Sequence, residues 1–150
     1  MYHKDAKSMM RESLREMIEV ARYCVEFDKT VTWGYQGCYG FPGALLLLCI
    51  VDAIGKEILG GGDDIKKHFE IFNHKDYYDL DLNVYVIELL RNEYRNRLSH
   101  NALIGENVAM FPGDKNSPII EDWGGKLRLN LVPFLIVSER VVNDFLNTLS

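Results

Sequence analysis

Residues 44–51 read "ALLLLCIV", an unbroken apolar run that ends at Asp52. The run is too short for a bilayer, which needs about 20 apolar residues. It lies inside a helical stretch, Pro42 to Leu59, that is apolar on nearly every side up to Asp52. A helix without a polar face has nothing to offer water, so it is expected at the centre of a helical bundle, with other helices around it. "GGG" at 60–62 supplies residues that tolerate positive φ and ends the helix.

The surrounding sequence supplies those helices. From Lys7 to Phe27, Met10, Leu14, Met17, Ile18, Ala21, Cys24 and Val25 recur at helical spacing between charged residues. "TVTWGYQGCYGFPG" at 30–43 breaks this first helix with four glycines. Residues 64–73, "DIKKHFEIFN", form a short amphipathic helix with Ile65, Phe69 and Phe72 on one side. A fourth helix runs from Leu82 to His100, with Asp81 as its N-cap and Asn101 as the residue that ends it. Pro133 opens a last helix through Leu149, with Phe134, Val137, Val141, Val142, Phe145, Leu146 and Leu149 facing inward. Between these last two, "NALIGENVAMF" and "GGKLRLNLV" are strand-like, and 102–132 is expected to form a β-hairpin with an irregular bulge near Gly124 and Gly125. The predicted fold class is mainly α: one domain over residues 1–150, a bundle of four to five helices with a β-hairpin inserted before the last.

Composition limits function. At 150 residues, 47% hydrophobic and 26% charged, the chain has the balance of a folded domain. A formal net charge of −5 excludes indiscriminate coating of nucleic acid, so any RNA site must be small and local. Cys24, Cys38 and Cys49 form no CxxC pair and no zinc spacing, and an odd number fits a reducing, cytoplasmic location. "MYHKDAKSMMRESLREM" lacks the apolar segment of a secretory leader, and no membrane partner is expected.

Chemistry concentrates in "YRNRLSHNAL" at 94–103. On an ideal helix Asn96 and His100 share a face, as do Arg91 and Arg95, whereas Arg95 and His100 stand about 140° apart. Such a group suits RNA cleavage without a metal or other cofactor. An imidazole takes the 2′-hydroxyl proton or protonates the leaving oxygen, and a guanidinium fork stabilises charge on the phosphate. Asn96 is available to orient either partner. Arg91, Arg95, Arg97 and His100 also suit the C-terminal end of a helix, where cations offset the macrodipole. Asp52 needs a partner if buried: Lys56, a tyrosine or an arginine of the 82–100 helix. His68 and His74 read as exposed polar residues, Cys38 has no basic neighbour in sequence, and Trp33 and Tyr35 read as core caps or interface residues before nucleobase platforms.

"RNRLSH", with Arg95, Asn96 and His100, resembles the signature of the HEPN domains (higher eukaryotes and prokaryotes nucleotide-binding). In that family an Arg, a polar residue and a later His lie near the end of a late bundle helix. "LLLLCIVDAIGKEIL" is similar to the family's apolar helix with its acidic residue and following lysine, here Asp52 and Lys56. The resemblance spans about residues 7–101 and the last helix. It implies an endoribonuclease acting in a toxin, defence or RNA-processing role. Arg95, Asn96 and His100 would be its catalytic set, with Asp52, Lys56, Arg91 and Arg97 in support. It also implies a homodimer whose two motif helices share one cleft, and a possible nucleotidyltransferase-like antitoxin partner. The alternative it implies is a non-catalytic module that binds a nucleotide, RNA or a protein.

Overall fold

A computed structural model of the protein describes residues 5–149. It is mainly helical with a small sheet. Helix α1 spans Ala6–Glu26 and begins at Asp5, whose carboxylate accepts from the Ser8 amide at 2.9 Å. A short α2, Thr30–Trp33, precedes α3, Gly40–Leu59. After Asp64, which caps the next turn, come α4, Ile65–His68, and a 3-10 helix, Phe69–Asn73. Then α5, Val84–Leu89, continues through a π-helical segment, Leu90–Asn96, into α6, Arg97–Asn101. Strands β1, Val108–Phe111, β2, Ile120–Trp123, and β3, Lys126–Asn130, lead to α7, Leu131–Thr148.

The apolar helix lies where its composition requires. Leu47, Leu48, Ile50, Val51 and Ile54 of α3 are completely buried, and α3 packs against α1, α4, the 3-10 helix and α7. Gly60, Gly61 and Gly62 all have positive φ and end it. Arg22 of α1 donates to Glu139 of α7 at 2.9 Å and ties the two flanking helices together. Among the described residues no helix is long and apolar enough to cross a membrane.

Several expectations are corrected. The helix from 82 to 100 is not uniform: residues 90–96 take the i→i+5 pattern, so ideal-helix angles do not carry across it. Its N-cap is Asn83, whose side chain accepts from the Val86 amide at 2.9 Å, because Asp81 lies outside the first turn. It ends at Ala102, the left-handed residue after Asn101. The two strand-like runs pair as parallel neighbours, Val108 opposite Leu127, rather than as a hairpin. The hairpin is β2–β3, antiparallel, with Ile120 opposite Leu129 and Trp123 opposite Lys126. Gly124 and Gly125, at φ 61° and 86°, are its two-residue turn and not a bulge, since paired positive φ values match the twist of the strands. Leu131 and Val132 belong to α7, which starts two residues before Pro133.

The sheet is fastened to the helix that carries the arginines. Tyr94, fully buried in the π segment, donates through its hydroxyl towards the carbonyls of Ala109 (2.6 Å) and Leu127 (3.1 Å), one on β1 and one on β3.

Candidate functional site: a carboxylate between a buried histidine and an arginine

Asp52 is the centre of the polar cluster. Its Oδ1 lies 2.6 Å from Nδ1 of His68, and its Oδ2 accepts from a terminal nitrogen of Arg95 at 3.3 Å. The sequence places Asp52 one residue beyond the apolar run, on the α3 surface that meets both α4 and the π segment. A carboxylate there is tolerated because two nitrogen donors surround it. Of the expected partners, the arginine of the late helix is present. Lys56 is not: its ammonium lies 3.5 Å from Asp63, where both side chains are well exposed, because it projects from the following turn.

His68 was expected at the surface, yet only 2% of it is accessible. Its Nε2 lies 2.9 Å from the Gly62 carbonyl, so both ring nitrogens are turned towards oxygen acceptors, Nε2 to that carbonyl and Nδ1 to the Asp52 carboxylate. The close approach that buries it depends on Gly55: a Cβ there would stand 2.1 Å from the His68 carbonyl oxygen. Sequence reasoning missed His68 because "KKH" looks solvated. The available signal was spacing, since 65, 68 and 72 fall on one helical face with Ile65 and Phe72.

The arginines separate into different environments. Arg95 is about one-fifth exposed, and its Nε is buried with no partner among the described residues. Arg91 is paired with Glu88, whose carboxyl is held below its ordinary range chiefly by that hydrogen bond. Arg97 pairs with Glu93 at 3.0 Å. Asn96 donates to Asn92 at 3.3 Å. His100, exposed on α6, makes no hydrogen bond or ion pair among the described residues, and none joins it to Arg95. The structure therefore unites Asp52, Arg95 and His68, and leaves Lys56, Arg91 and Arg97 engaged with acidic partners of their own.

The other residues singled out in the sequence fall into three environments. His74 is half-buried, and its Nδ1 accepts from the Asp76 amide at 3.2 Å. Cys38 has Lys29 near it across the loop, but burial still pushes its thiol up. Trp33 and Tyr35 cap no core, being 52% and 56% exposed. No group of three or more His, Cys, Asp or Glu side chains suited to a metal ion occurs among the described residues.

Fold and site together define a mainly helical domain with a three-stranded mixed sheet and a buried histidine joined through a partly exposed aspartate to an arginine. No family model, no curated protein and no solved structure matches the chain.

Proposed function

We propose that the protein is a metal-independent endoribonuclease of the HEPN type, with its bundle in that family's arrangement and its cleft shared by two copies of the chain. One observation carries the reading: Arg95 donates a single hydrogen bond to Asp52, while His100 on the next helical segment is exposed, with no side-chain partner among the described residues. The terminal guanidinium donors that Asp52 does not use are suited to a phosphate. The π segment beneath Arg95 adds support, because such segments recur at functional sites.

In the proposed reaction His100 takes the proton of a ribose 2′-hydroxyl as that oxygen attacks the adjacent phosphorus. The bond from phosphorus to the 5′ oxygen breaks, a 2′,3′-cyclic phosphate forms, and the leaving oxygen is protonated by the second imidazole of a dimeric cleft. Arg95 binds the equatorial oxygens where negative charge grows, and Asn96 orients the phosphate or the imidazole. Two copies supply the second imidazole that the leaving oxygen requires. Arg91 and Arg97 are each paired with an acid of their own helix, Glu88 and Glu93, whereas Arg95 shares its acid, Asp52, with His68.

A second reading, a non-catalytic module that binds nucleotide, RNA or a protein, is favoured by the countercharge of Asp52 on Arg95 and by the absence, among the described residues, of any side chain orienting His100. The test is incubation of purified protein with mixed single-stranded RNA in excess EDTA, beside His100→Ala and Arg95→Ala, each checked for fold by circular dichroism. The ribonuclease reading expects cyclic-phosphate ends from the wild type, with losses of about 10²–10⁴-fold for each variant. Cleavage surviving both substitutions overturns it, and RNA retention without cleavage selects the binding module. A nucleotidyltransferase-like protein encoded beside it, suppressing cleavage when co-purified, would assign the toxin role.

A further inference from the structure

The loop between α1 and α3 builds a second surface, away from the Asp52 cluster. Its ends are closed by the Lys29 amide donating to the Gly37 carbonyl at 2.9 Å. Within it, the Lys29 ammonium lies 5.0, 5.7 and 5.9 Å from the ring centres of Trp33, Tyr35 and Tyr39. Tyr39 is fixed by stacking on Phe27 at 4.3 Å, and Trp33 donates to its hydroxyl at 3.4 Å. Trp33 and Tyr35 remain more than half exposed, and no carboxylate pairs with Lys29 among the described residues. A cleft of about 240 Å³ adjoins Lys29 and is walled by Phe41 and Phe111, with the Gln36 amide at its rim.

The chemistry of this surface selects its ligand. An aromatic cage attracts cations, but this one already holds an ammonium, so a second cation is repelled. What fits is an anion that also offers flat faces to exposed rings, which describes a nucleotide strand. Bases stack on Trp and Tyr whatever their sequence, and a lysine neutralises the phosphate between them. Phe41, 46% exposed, also lines a depression beside Leu98 and Ala102, on α6, which carries His100, and at the end of that helix. The surface thus reaches the helix that carries His100.

We propose that Lys29, Trp33 and Tyr35, with the Phe41–Phe111 cleft, bind unpaired nucleotides of single-stranded RNA and guide the strand towards α6. The choice of RNA rests on the ribonuclease reading; the binding itself does not.

The chain has two tryptophans, so Trp123→Phe leaves Trp33 as the sole reporter. A short 2′-O-methyl oligouridylate, which binds but cannot be cleaved through its 2′ position, is titrated while Trp33 fluorescence is followed. The expected result is a saturable quench that weakens with salt, and that Lys29→Ala and Tyr35→Ala each weaken about tenfold or more without changing the melting temperature. No quench, or a quench indifferent to both variants, overturns the proposal. So does a concentration-dependent dimer that Trp33→Ala dissolves, since a second copy would then be the occupant. Cleavage without a Trp33 quench rejects this surface and keeps the ribonuclease; a quench without cleavage keeps the surface and favours the module.

Discussion

Asp52 and His68, sixteen residues apart on different helices, meet at 2.6 Å with the imidazole almost wholly enclosed. The pair faces inward at the histidine and outward at Arg95. The guanidinium thereby rests on a fixed anion rather than on solvent.

Removing the anion should cost more than removing the arginine. Asp52→Ala leaves the buried Nδ1 of His68 without its partner, and the expected loss is about 2–3 kcal/mol, below the fully buried case because the carboxylate is partly exposed. Asp52→Asn retains a polar partner and should lose about 1 kcal/mol. Arg95→Ala, which keeps the Asp52–His68 bond, should also stay within about 1 kcal/mol. Urea denaturation of the three variants ranks them, and an Arg95→Ala loss equal to that of Asp52→Ala would remove the histidine from this account.

Gly55 should resist even a methyl group. The 2.1 Å approach to the His68 carbonyl forces α3 and α4 apart or bends one of them, so Gly55→Ala is expected to destabilise by about 3 kcal/mol despite alanine's better helix propensity. Gly62→Ala offers a contrast, with positive φ but open space around it, and an expected cost of about 1 kcal/mol. Thermal melts that placed the two variants level would contradict the tight helix crossing.

Cys49 reports the charges at the site. Burial pushes its thiol up, Arg95 pulls it down and Asp52 pushes it further up. A raised pKa means less thiolate at any given pH, so alkylation of the native protein should be slow near neutrality and fast in urea. In a Cys24→Ala, Cys38→Ala background, Asp52→Asn should move the pH profile of Cys49 alkylation to lower pH and Arg95→Ala to higher pH. The same direction for both would show that the profile follows burial alone.

Much of the helical frame was written in local pattern. The apolar turns of α1, α3 and α7 are legible because burial on a helix repeats every three to four residues, and the positive-φ glycines at 60–62 mark an end without reference to anything distant. Arg95 and Asp52 were also visible, the first from its spacing to His100 and the second as a carboxylate in an apolar helix. Two of the three strands were legible, but not β2 and not the pairing: nothing in "NALIGENVAMF" indicates that it lies parallel to β3, because the hairpin partner of β3 is β2.

What the sequence alone determined, then, is a buried central helix, the helices that cover it, and an arginine–histidine motif late in the chain. Tertiary structure alone decided that His68 is interior, that Asp52 joins it to Arg95 while Lys56 turns away, and that Trp33 and Tyr35 face solvent around Lys29. The physical reason is range. Helical periodicity and turn chemistry act within a few residues, whereas a carboxylate's partner is set by which helices cross, and that crossing hangs on one missing side chain at Gly55.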